Sequence, residues 1–162
     1  MNYKTLFKTG SWAMLATGLI HSLSFLKEPQ PQNDSERQLF DLLRNYRFDL
    51  AGTMRNMEEL MNFFSLTMTF LCLFTGIINL LIVNYFDNEA LARKVVAFNA
   101  VFWTVFLVPL YLLTFLPPQV CFTIAWGAFA GAWFLFNRKR QSTLRRIIPG
   151  ARRGQKSGNA PF

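Results

Sequence analysis

The chain has 162 residues, of which 52% are hydrophobic and 16% are Phe, Trp or Tyr, and its formal net charge is +8. That length fits one domain. The apolar residues, however, gather into long blocks, which excludes an ordinary water-soluble domain. In a soluble protein the basic charge would point to nucleic acid. Here it flanks apolar blocks, so the expected partners are the bilayer and its anionic lipids, with no nucleic acid.

The first block runs from Leu6 to Leu26. As a helix it is about 31 Å long at ~1.5 Å per residue, enough to cross a bilayer core. Lys8 near its start can snorkel to the interface. A signal peptide is the rival reading, with Lys4 and Lys8 as its charged start and Ser22-Leu23-Ser24 as its cleavage site. The length of the block and the poor match of Ser favour a span.

A polar segment follows, from Lys27 to Glu59. Glu28-Pro29-Gln30-Pro31-Gln32-Asn33-Asp34 reads as a turn-rich loop. Asp34 or Ser35 then caps a short helix through Arg44, with Leu39, Phe40, Leu42 and Leu43 as its apolar face. Gly52 breaks the chain locally, and the next helix is expected to start near Thr53.

Three further spans are expected at about 60–83, 95–116 and 119–136. Pro109 should kink the third, and Pro117-Pro118 should stop it. The domain reading is therefore a four-span membrane part, residues 1–137, and a basic tail, 138–162. No internal repeat is present.

Orientation follows from Lys and Arg beside the spans. The N-terminus, the turn holding Arg93 and Lys94, and the tail lie on one side, and they hold about 12 of the 17 basic residues. That side is cytoplasmic. The predicted fold is an all-α four-helix bundle of the bacterial inner membrane, with both termini cytoplasmic and an extracytoplasmic loop between helices 1 and 2.

Several features could carry function. His21 sits in the outer third of the first span, where an unpaired polar side chain is costly. It can serve as a structural hydrogen-bonding group or as a ligand-binding or proton-handling one. Arg55 and Glu59 are four apart and share a helix face, which Asn62 continues. With Asp49 they could form a polar pocket beside His21, or simply pin the loop by salt bridges. Gly127-Ala128-Phe129-Ala130-Gly131 is a GxxxG strip, for packing inside the bundle or against another subunit. Arg138, Lys139, Arg140, Arg145 and Arg146 suit contact with anionic lipid. Cys72 and Cys121 lie singly inside apolar blocks and read as small hydrophobes. No metal, cofactor or catalytic signature is found.

Gly18-Leu19-Ile20-His21 at the end of the first span and Gly52-Thr53-Met54-Arg55, with Glu59 four residues on, resemble the Gly-x-x-His and Gly-x-x-Arg motifs of a family of small bacterial four-helix membrane proteins known only by a locus-tag label. The resemblance covers roughly residues 6–83. The family usually carries aromatic residues just after the Arg, where this chain has Met57 and Glu58. The resemblance implies a four-helix topology and an outer-face cluster, and no reaction. The layout is also loosely similar to that of the DoxX-like membrane proteins.

Two functions compete. The first is a non-catalytic accessory subunit that packs against a larger membrane complex. The second is a membrane-embedded binding protein or enzyme holding a lipid or quinone-like molecule near His21, Arg55 and Glu59. A channel or transporter fits less well, because the spans carry few polar residues.

Overall fold

The computed structural model describes residues 2–26, 30–85 and 88–147, the stretch 139–147 by its backbone alone. Helix α1 spans Tyr3–Ser22, and a 3-10 turn, Leu23–Leu26, follows it. Helix α2 is Asp34–Asn45; strands β1 (Arg47–Leu50) and β2 (Thr53–Asn56) come next. Helices α3 (Met57–Tyr85), α4 (Glu89–Leu113) and α5 (Leu116–Ile147) complete the chain.

Helix α1 is the hub of the bundle, packed against both α3 and α5. Its inward face is Tyr3, Phe7, Gly10, Ser11, Met14 and Gly18, a three-and-four spacing that lines one side of a helix. A methyl group on Gly10 would sit 2.8 Å from the Phe129 ring of α5, and one on Gly76 of α3 would sit 2.9 Å from the Ser11 carbonyl. The two glycines therefore set how closely α1 approaches its neighbours on either side. The Ser11 hydroxyl, fully buried at that crossing, donates to Phe7 O at 2.8 Å. Thr9 and Thr17 also donate to carbonyls four residues back. For Ser11, which is fully buried, and Thr17, which is partly buried, these bonds satisfy hydroxyls that the packing withdraws from water.

Helix α4 packs on α5, and its contact with α3 is far smaller. The Trp103 ring of α4 stacks on Phe122 of α5 with centroids 5.4 Å apart. It is joined there by Phe106. Between α3 and α4 the buried polar contact is a reciprocal amide pair, Asn79 and Asn99.

The structure differs from the sequence expectations at several points. The loop carries a two-stranded hairpin, so the fold is not purely α-helical. Ala51 (φ 51°) and Gly52 (φ 85°) both adopt left-handed backbone, which makes the two-residue turn suited to a hairpin. Thr53 accordingly starts β2, not a helix. The α2 cap is Asn33, whose side chain accepts from Glu36 N at 2.8 Å. Pro117 and Pro118 do not stop a helix. They sit in the first turn of α5, where the missing amide protons would have had no intrahelical partner in any case. Helix α4 ends before them, at Leu113, and the Gln119 side chain donates to Thr114 O at 2.9 Å to cover its last carbonyls. Pro109 lies inside α4. Helix α5 continues past the expected 136 to Ile147.

Helices α3, α4 and the Leu116–Arg138 part of α5 are long and apolar enough to cross a membrane. Helix α1 is not among these three, since Lys4, Lys8, His21 and its hydroxyl residues lower its hydropathy.

Candidate functional site

The densest polar network gathers where α2, the hairpin and the start of α3 meet. Its centre is Arg44, near the end of α2. Arg44 Nε donates to Glu58 Oε2 and Nη2 to Glu58 Oε1, both at 2.9 Å. This two-pronged geometry is the strong form of an arginine–carboxylate pair. Asn56 completes the joint: its Nδ2 donates to Arg44 O at 2.9 Å, and its Oδ1 accepts from Glu59 N at 2.8 Å. One buried side chain thus ends α2 and caps the first turn of α3 in N-cap fashion. Glu58 stands ahead of the apolar stretch that begins at Leu60. Hydrogen bonding from Arg44 holds its carboxyl below the usual value; slight desolvation opposes this and the Arg44 charge reinforces it.

Beside the ion pair lies a cleft of about 350 Å³ between α2 and α3. Phe40, Leu43 and Met61 give it an apolar wall, and Arg37 and Asp41 stand on its α2 side.

The expected cluster is assembled only in part. Arg55 and Glu59 do pair, with Nη1 to Oε2 at 3.5 Å. Asp49 faces the hairpin turn, where its Oδ1 accepts from Gly52 N at 2.7 Å. His21 ends α1, and its ring meets Phe25 edge-on with centroids 6.2 Å apart. Among the described residues, no hydrogen bond or ion pair joins His21 or Asp49 to the Arg55–Glu59 pair.

The GxxxG strip is split. Gly131 faces Leu6 of α1, whereas nothing lies within 4 Å of a methyl group placed on Gly127. The tight small-residue contacts are at Gly10, Gly18 and Gly76 instead. Arg138 is exposed. The side chains of Lys139, Arg140, Arg145 and Arg146, and all of 148–162, lie outside the described residues. Among the described residues no group of three His, Cys, Asp or Glu side chains could hold a metal ion.

Three features leave little trace in the sequence. The Arg44–Glu58 pair crosses from α2 to α3, so no local spacing announces it. The Asn79–Asn99 pair was announced only by two amides inside apolar blocks. The cleft depends on how α2 leans on α3, which residue spacing does not encode.

Fold and site define a mostly helical protein with three helices long and apolar enough to cross a membrane and a polar network where α2, the hairpin and the start of α3 meet. No protein family, curated protein or solved structure matches this chain.

Proposed function

We propose that the chain is a four-span protein of a bacterial inner membrane that acts as a non-catalytic accessory subunit, packing against a larger membrane complex. Kinship with the small four-helix family belongs to the same reading. In it α1 is the fourth span. Its 20 residues reach about 30 Å, its hydroxyls bond to its own carbonyls, and Lys4 and Lys8 snorkel at the cytoplasmic end. The polar cap is then extracytoplasmic, and α5 carries its basic continuation into the cytoplasm and its anionic lipid headgroups.

The observation that carries the subunit reading is how little the spans bury. Within their most apolar stretches α3 and α4 are each 28% buried and the third candidate span 33%. Helices α3 and α4 meet mainly at the Asn79–Asn99 pair, which leaves wide Phe-rich faces for lipid or for partner helices. At the joint of the cap Arg44, Asn56 and Glu58 bond to one another or to nearby backbone, and no nucleophile and base stand together among the described residues.

The experiment is purification in mild detergent, with measurement of the particle mass and identification of everything that travels with the chain. Stoichiometric protein partners support the subunit. A monomer carrying a quinone-like molecule or lipid that is lost on His21→Ala overturns it in favour of the rival reading.

A further inference from the structure

The cleft between α2 and α3 has a charge pattern its own residues do not use up. Arg44 and Glu58, both among its lining residues, are ion-paired with each other. Arg37 and Asp41 stand one helical turn apart on the α2 wall, and neither makes an ion pair or side-chain hydrogen bond with another residue of the described chain. The cleft therefore offers one unspent cation and one unspent anion side by side, next to the apolar surface of Phe40, Leu43 and Met61.

Depth selects the ligand. Helix α3 has 29 residues, about 43 Å at ~1.5 Å per residue, whereas a hydrocarbon core is ~30 Å thick. Glu58 and Glu59 are the charges of its first turn, so that end of the excess length is placed in the headgroup layer, with Met61 at its edge, when the rest spans the core. The volume, about 350 Å³, lies within the range of small-ligand pockets, roughly 300–1,000 Å³.

We propose that this cleft binds the headgroup of a zwitterionic phospholipid bearing a primary ammonium, with the phosphodiester on Arg37, the ammonium on Asp41 and the glycerol end of the acyl chains on Phe40, Leu43 and Met61. The inference rests on the reading of α3 as a membrane span. An anionic lipid without the ammonium leaves its net charge facing Asp41. A neutral quinone leaves both charges desolvated and unmatched, which is costly. A soluble phosphate or phosphoethanolamine leaves the apolar wall uncovered.

The test is lipid binding to the full-length chain purified in detergent, read as retention in native mass spectrometry and as a shift in thermal unfolding. The probes are phosphatidylethanolamine, phosphatidylcholine, phosphatidylglycerol and free phosphoethanolamine. Phosphatidylethanolamine is expected to bind most tightly. Arg37→Gln and Asp41→Asn should each weaken it by about tenfold or more, the scale of one hydrogen bond to a charged group. Both side chains are exposed, so lipid-free unfolding should match that of the wild type. Equal or tighter binding of phosphatidylglycerol, equal binding of free phosphoethanolamine, or indifference to both substitutions overturns the proposal. If the chain stays soluble without detergent, the membrane reading falls together with it. Indifference to lipid in a chain that requires detergent sinks the cleft alone.

Discussion

Asn79 Nδ2 on α3 donates to Asn99 Oδ1 on α4 at 2.8 Å, and Asn99 Nδ2 returns the bond at 3.2 Å. Both side chains are buried, and Asn99 also donates to Val95 O at 2.9 Å. The two amides bond across a contact that is otherwise small, so they fix the register of α3 against α4. Replacing one partner by Leu strands the other. In a double-mutant cycle with Asn79→Leu and Asn99→Leu, the coupling is expected at about 0.6–1.7 kcal/mol, the range for hydrogen bonds between membrane helices. Unfolding in mixed micelles measures it, and additive single mutants contradict it.

The close approach of α1 to α3 predicts a contrast between two glycines. A methyl group on Gly76 would lie 2.6 Å from the Leu15 side chain and 2.9 Å from the Ser11 backbone oxygen. The side chain can move, but the backbone can yield only by separating the helices. Gly76→Ala should destabilise by about 1–3 kcal/mol, as overpacking does. Gly127→Ala meets nothing and should be neutral, or stabilising by up to about 1 kcal/mol through helix propensity. The same micellar unfolding assay reads both.

The hairpin turn offers a backbone test. Ala51 holds φ 51°, a conformation that costs a residue with a Cβ about 1–2 kcal/mol. Ala51→Gly should protect the hairpin amides in hydrogen exchange, and Gly52→Val, at φ 85°, should deprotect them. The opposite pattern would contradict the left-handed turn.

Acid should loosen the cap. The Glu58 carboxyl titrates below its usual value because Arg44 hydrogen-bonds its ionised form. The stabilisation is therefore present above the ordinary carboxylate range, near pH 4, and is lost as pH falls through the lowered value. Amide exchange in α2 should accelerate below about pH 4. In Glu58→Gln it should already be fast at neutral pH and lose that acid step. An unchanged acid step in Glu58→Gln would assign it to another carboxylate.

The long elements were legible because hydrophobic blocks and helix length are local properties. The expected stretches 60–83 and 119–136 fall inside α3 and α5, the third expected stretch, 95–116, outruns α4 by three residues, and the 34–44 segment is α2. The prolines misled because Pro117-Pro118 can end one helix or begin the next, and only the Gln119 contacts to α4 show which. The hairpin was hidden because Ala51, unlike Gly52, gives no sign of a positive φ. Of the expected cluster, Arg55 and Glu59 do pair, but not on a shared helix face: Arg55 lies on β2 and only Glu59 on α3. The fate of Asp49 was set by the two-residue turn, whose Gly52 N it accepts from, and the partner of Arg44 by a fold-back across the hairpin.

The central claim is that α1 crosses the membrane although its hydropathy is below that of the other three long helices. Side-specific labelling of single cysteines with an impermeant maleimide in intact cells, in a Cys72→Ala/Cys121→Ala background, tests it directly. If α1 spans, Ser35→Cys at the start of α2 is labelled from outside, and Asn2→Cys ahead of α1 is labelled only after the membrane is opened. Labelling of both positions from the same side would contradict the account and leave α1 a helix that never crosses.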